Sequence, residues 1–274
     1  MHHLSKPPTY PERALHNADD RASDDGQLQS RLRQRASALS HRINMECSFG
    51  ITGKDYVLLA SDMTAGRSIL QFKSDENKIK ALGPHLAMAY GGEPGDTNNF
   101  ADYVERNVRL YNIRHNHPLL PHAAGSWIRR TLADSLRSRR PYAVNLLLAG
   151  YDTTTDVPHL YWIDYLGTKA TVSYAAHGFG QLVCLSTMDK YWTEDADKRE
   201  GVETIRKCID EVKIRLTVKF DFNCIMIDKH GIHQVDLSSE DPIAAIEALV
   251  AAEEEKAAQV AAQDQARGEV PGVL

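Results

Sequence analysis

The residues of this 274-residue chain that could do chemistry fall into a few groups. Gly91-Gly92-Glu93-Pro94-Gly95-Asp96-Thr97 has the glycine density of a phosphate loop. Such a loop cradles phosphate oxygens on bare backbone N–H groups and ends in Gly-Lys-Ser/Thr, and that ending is missing here. Gly178-Phe179-Gly180 starts like a dinucleotide turn but lacks the third glycine. His115-x-His117 with His122, and His230 with His233, could offer imidazole nitrogens to a metal ion. No cysteine or carboxylate pattern completes either set, so solvated histidines are the simpler reading. No Gly-x-Ser-x-Gly occurs. Cys47, Cys184, Cys208 and Cys224 have no paired spacing and read as buried thiols of a reducing compartment. No cofactor and no metal is expected.

The elements that must position these residues are legible from periodicity. Phe49 to Thr52 and Tyr56 to Ala60 are strands around the turn residues Gly53, Lys54 and Asp55. The second run is apolar throughout, the mark of a strand buried on both faces. Ser68 to Lys73 alternates weakly and predicts a strand; Lys78 to Leu82 is a short strand or turn; His85 to Tyr90 is another buried strand. A helix follows, with Asp96 as its N-cap and Phe100, Val104, Val108 and Tyr111 on one face. A second helix is expected over 121–139, with Ala124, Trp127, Ile128, Thr131, Leu132 and Leu136 sharing a face and Arg129, Arg130, Arg137 and Arg139 largely on the other side. Ala143 to Gly150 is uninterrupted and should be a central strand. Leu160 to Asp164 and Thr168 to Ala176 form a hairpin. Residues 180–192 and 199–215 are a second helix pair. Phe222 to Asp228 and Ile232 to Val235 make a last hairpin turned at Lys229-His230-Gly231. Strands, two helices, strands, two helices, strands: that order predicts an α+β fold with two stacked sheets between two helical layers, a four-layer αββα sandwich.

Charge is distributed unevenly. The net value is −5, which gives no basic field for nucleic acid. Residues 1–44 carry seven Lys/Arg against five Asp/Glu; residues 239–274 carry two against eight; the body between is near neutral. No apolar run reaches the roughly 18 residues of a membrane span. Three readings compete for residues 1–44. They are a disordered extension, an Arg/Ser-rich transit peptide opposed by the five early acidic residues, or a segment ahead of a usual start at Met45. Residues 239–274 open on Asp241-Pro242, a helix N-cap and first-turn proline, and continue as an Ala/Glu-rich, partly helical tail, exposed or docked on a partner. The expected organisation is therefore 1–44, 45–238 and 239–274.

Several stretches together carry a family resemblance. Gly50, Lys54-Asp55, Val57-Leu58-Leu59 and Ala60-Ser61-Asp62 open it. Lys78-Ile79, Gly91-Gly92, Asn145-Leu-Leu-Leu-Ala-Gly-Tyr-Asp152, Ala175-Ala-His-Gly-Phe-Gly180 and Ile227-Asp-Lys-His-Gly-Ile232 follow. In this order and spacing, residues 45–238 resemble a proteasome β subunit. They are most similar to the non-catalytic class at the fourth position of the eukaryotic β ring, the β type-2 class. The resemblance implies the N-terminal nucleophile hydrolase fold, whose active members use a mature N-terminal threonine. A lysine held by an aspartate depresses the pKa of its hydroxyl, and a Gly-Ser-Gly turn and an Asp…Ser pair support its α-amine.

Carried over residue by residue, the nucleophile position falls on Glu46, which has no hydroxyl, and Met45 stands where processing needs glycine. The aspartate survives as Asp62 and the lysine as Lys78. Phe179 replaces the serine of the turn, and the late pair falls near Leu216 and Lys219, neither of which matches. The only Gly-Thr dipeptide, Gly167-Thr168, would cut a hairpin. The resemblance thus implies a structural subunit whose site, at Glu46, Asp62, Lys78 and Phe179, is vestigial, with Asp62–Lys78 kept as a structural ion pair. It would line the proteolytic chamber of the 20S core, working in ubiquitin-dependent degradation in cytoplasm and nucleus. Its implied partners are β subunits on either side and across the equator, and α subunits; neither nucleic acid nor a membrane is expected. The alternatives are an active threonine-type hydrolase of the same fold, which residue 46 discriminates, and an unrelated ligand-binding sandwich.

Overall fold

A strand that is apolar at every position has to be covered on both faces, and Tyr56–Ala60 is. In the computed structural model, which describes residues 46–67 and 70–268, these residues belong to β2 (Tyr56–Asp62). It is the middle strand of a five-stranded antiparallel sheet. Its neighbours are β1 (Cys47–Thr52) and β11 (Phe222–Asp228), with β10 (Tyr174–Gly178) and β12 (Gly231–Gln234) at the edges. Tyr56, Leu58 and Ala60 pack against α3 (Phe179–Tyr191), α4 (Lys198–Arg215) and the first turns of α5 (Pro242–Gly268), through residues such as Met188, Ile205, Ile209 and Ile246. Val57 and Leu59 face the other way, onto Ala87, Ala89, Leu147 and Ala149.

Those four residues belong to a second sheet, ordered β5 (Ile79–Gly83), β6 (Leu86–Gly92), β7 (Val144–Asp152), β8 (Val157–Ile163) and β9 (Lys169–Thr171). The uninterrupted run around Leu146 to Leu148 is its central strand. Met88, Leu146 and Leu148 on the outer face meet Phe100, Val104, Ile128 and Leu132 of α1 (Pro94–His115) and α2 (Pro121–Ser135). Three apolar interfaces result: helices on sheet, sheet on sheet, sheet on helices. Each fully buried Leu or Ile contributes about 1.5–3 kcal/mol by leaving water.

The structure departs from the expected elements in four places. The weak strand over Ser68 to Lys73 is a separate ribbon, β3 (Ala65–Arg67) with β4 (Leu70–Lys73); β4 is exposed along its length. Asp96 does not cap α1. Glu93 holds the N-cap position and Pro94 the first turn, where its missing N–H costs nothing, and Asp96 instead accepts a hydrogen bond from Ala143 N at 3.1 Å. The second helix stops at Ser135, short of the arginines at 137 and 139. Thr168 to Ala176 is two strands in two sheets. β9 pairs with β8 and β10 with β1, the chain crossing over at Val172-Ser173, where Val172 N donates to Leu160 O and Thr52 N donates to Ser173 O. All four cysteines are buried free thiols. The readings of residues 1–44 and of Met45 lie outside the described residues.

Candidate functional site

Glu46, Asp62 and Lys78 arrive from three separate segments. Glu46 directly precedes β1, Asp62 closes β2, and Lys78 directly precedes β5. Antiparallel pairing of β1 with β2 sets Ser48 opposite Ser61, so the start of one strand meets the end of the other. Asp62 reaches that corner. Its Oδ1 accepts from Cys47 N at 2.8 Å, and its Oδ2 accepts from Thr64 N at 3.1 Å and from Lys78 Nζ at 2.6 Å. Lys78 Nζ also donates to Thr64 O at 2.7 Å. Asp62 is 1% and Lys78 8% exposed. Burial raises the Asp62 carboxyl above its usual range, against the pull of Lys78 and the two backbone donors. A charge this deep is tolerable only because its partner and both N–H groups are already in place.

Glu46 is fixed at both of its oxygen-bearing ends. Its backbone carbonyl accepts from Phe179 N at 2.8 Å, and its Oε2 accepts from Gly92 N at 2.6 Å. Gly178 makes the first contact feasible. It adopts φ 63°, and a Cβ there would lie 2.1 Å from Glu46 O. Burial pushes the Glu46 carboxyl up to about 7; Lys78 opposes the shift and Asp62 adds to it.

The structure therefore brings Glu46, Asp62 and Lys78 together, and Phe179 joins them through its backbone N–H. It does not bring the late pair in. Leu216 ends α4 and packs against the core between sheet and helices, and Lys219 is exposed. The lysine ammonium is held by an aspartate, and the residue beside it carries a carboxyl bonded to Gly92 N, so the corner presents no hydroxyl or thiol at position 46.

The other sequence candidates resolve into loops and turns. The glycine-rich run 91–97 is the end of β6 entering α1, and Gly178-Phe179-Gly180 is the end of β10 entering α3. His115 and His117 group with the Tyr111 ring at the end of α1, and His122 lies exposed on α2. His230 pairs with Glu254 and His233 with Asp228. Among the described residues no group of three or more His, Cys, Asp or Glu is placed to hold a metal ion.

Two buried polar groups escaped the sequence reading. His177 stacks on Trp162 at 5.0 Å and donates from Nε2 to Leu146 O at 3.1 Å; burial holds its pKa down to about 4. Asp228 receives Lys198 Nζ at 2.7 Å, His233 Nε2 at 3.2 Å and His230 N at 2.8 Å. Burial opposes its charge, yet these bonds hold the carboxyl well below the usual range. Asp228 ends an apolar run and stands in the Ile227 to Ile232 stretch that carries the resemblance, but nothing in the sequence marks its three partners.

Comparison with known proteins agrees with this geometry. Residues 44–227 match the family model described as "Proteasome subunit". A Schizosaccharomyces pombe relative designated proteasome subunit beta type-4 is 44% identical over 194 residues, 70% of this chain and 100% of the relative. The Saccharomyces cerevisiae "Proteasome subunit beta type-4" is 41% identical over 193 residues, 70% of this chain and 98% of the relative. The Oryza sativa subsp. japonica "Proteasome subunit beta type-2" is 40% identical over 191 residues, 69% of this chain and 89% of the relative. Relatives designated type-4 in fungi and type-2 in plants are thus both similar to this chain, and this chain belongs to the proteasome β-subunit family.

Proposed function

We propose that this chain is a non-catalytic β subunit of the 20S proteasome core, at the fourth position of the β ring. Its fold is that of the N-terminal nucleophile hydrolases. It forms part of the wall of the proteolytic chamber, contacting β neighbours on either side, the opposite β ring and α subunits, and acts in ubiquitin-dependent degradation in cytoplasm and nucleus. Family membership and the four packed layers support the assembly role. One observation carries the non-catalytic reading. The residue at the nucleophile position is Glu46, with its carboxyl bonded to Gly92 N and its carbonyl to Phe179 N. A carboxyl cannot supply the attacking hydroxyl, and an α-nitrogen still in peptide linkage to Met45 cannot supply the amine that takes its proton.

The test uses particles isolated from cells. The chain is expected to co-purify with proteasome α and β subunits and to show an intact mass that includes Met45. It is expected to take up no label from a covalent inhibitor directed at N-terminal threonine. A native protein found only as a free single chain would overturn the assembly role. A chain trimmed to a new N-terminus that takes up the label would overturn the non-catalytic reading.

A further inference from the structure

Glu46 joins two sheets. Its carbonyl is bonded at the end of β10, in the sheet of β1 and β2, and its carboxyl at the end of β6, in the other sheet. The carboxyl sits in close quarters: a Cβ on Gly91 would lie 2.4 Å from Oε2. Among the described residues, few charged or titratable groups act on it. Lys78 and Glu76 come from the segment before β5, and Asp62 comes from β2. On the β10 side His177 lies against Trp162 and is neutral near pH 7. Lys78 is already committed, donating to Asp62 Oδ2 at 2.6 Å and to Thr64 O at 2.7 Å. Burial is the main reason the Glu46 carboxyl keeps a proton; Lys78 pulls the other way, and Asp62 adds a smaller push in the same direction as burial.

We propose that Glu46 is a proton-carrying strap between the two sheets. In its neutral form it holds the start of β1 against the end of β6, and it loosens when the solution turns alkaline and the carboxyl ionises. Ionisation strengthens the bond to Gly92 N but puts a charge on a carboxyl that burial shields from water, and that desolvation is the larger effect. The folded carboxyl titrates at about 7, inside the range a cell explores, against 4.5 in the open chain. Between those values the folded chain holds a proton that the unfolded chain has lost. The stabilisation is complete below 4.5 and disappears as pH rises through 7. The strap needs no assumption about catalysis, so it stands or falls separately from the non-catalytic reading.

The test is hydrogen exchange on assembled particles carrying the full chain, followed in peptides covering residues 86–97 at pH 6 and pH 8.5 and corrected for intrinsic rates. For the wild type, protection should fall on the order of tenfold between the two pH values. Glu46→Gln keeps an oxygen acceptor for Gly92 N and cannot ionise, so its protection should stay at the pH 6 level throughout. Glu46→Ala removes the acceptor and should be poorly protected at both. Identical pH profiles for wild type and Glu46→Gln would overturn the proposal, as would full protection in Glu46→Ala. If the alanine variant does not enter particles, the comparison of wild type with Glu46→Gln decides alone.

Discussion

At the scale of single residues, Asp62 and Lys78 are held together by more than any catalytic need. Removing either leaves the other buried without its partner, at a cost of about 3–5 kcal/mol. Lys78→Met and Asp62→Asn are each expected to destabilise by that order, with the double change costing clearly less than the sum of the singles. A double-mutant cycle on thermal midpoints measures the difference, and simple additivity would count against the pair as a structural unit. The same logic limits rescue of catalysis. Met45→Gly with Glu46→Thr supplies a hydroxyl and, if processed, an amine, with Lys78 beside it. On the family resemblance Phe179 still stands where the serine would be, and Leu216 packs against the core between sheet and helices. Elements of a nucleophilic site act as a unit, so restoring one leaves most of the deficit. The double variant is expected to keep its N-terminal segment, read as intact mass from assembled particles, and to take up no threonine-directed label. The sequence located Asp62 and Lys78 because their spacing from the opening strands follows a family pattern. It could not show that the Glu46 carboxyl reaches Gly92, since a contact across 46 residues leaves no local signature.

At the scale of elements, few of the described residues hold the helix α5. Ile243 and Ile246 are buried, Val250 is partly buried, and residues 251–256 are exposed. Arg199 adds ion pairs to Asp241 and Glu247, both between exposed groups and so contributing little, and His230 Nδ1 lies 3.4 Å from Glu254 Oε1. A polar helix is marginal alone, so its docking rests on two isoleucines. Ile246→Ala is expected to cost about 2–5 kcal/mol and to open the segment around Ser239 to limited proteolysis, leaving the body intact. Unchanged cleavage would show that the helix is held elsewhere. The central strands β2 and β7 were readable because burial on both faces makes every position apolar. The division between β9 and β10 was not, because a chain that changes sheets at Val172-Ser173 keeps an extended backbone and strand-like residues throughout. Asp96 was mistaken for a cap because its side chain is engaged from outside the helix, by Ala143 N. The ribbon of β3 and β4 gave only weak alternation because neither face of β4 is covered.

At the scale of the whole molecule, the body between the two ends is near neutral and closes its own three apolar interfaces. Yet Leu70, Phe72, Ile113, Leu182 and Ile214 remain largely exposed. Exposed apolar side chains spread over several faces suit a subunit surrounded by neighbours better than a free monomer. Expressed alone, the chain is expected to be monomeric or poorly soluble; in cells it should be recovered in a particle on the order of hundreds of kilodaltons, as closed rings require. The family model matches residues 44–227, and the Schizosaccharomyces pombe relative is covered over its full length within 194 residues. The family match leaves residues 1–43 outside. The composition of that segment offers little apolar surface to offset the entropy of ordering, which is the ground for expecting it to contribute little to the assembled state. A chain beginning at Met45 is therefore expected to enter particles as efficiently as the full chain. Co-expressing the two with distinguishable tags, and comparing their ratio in purified particles with their ratio in total protein, measures this directly. A truncated chain that is synthesised but excluded would show that residues 1–44 are part of the assembly.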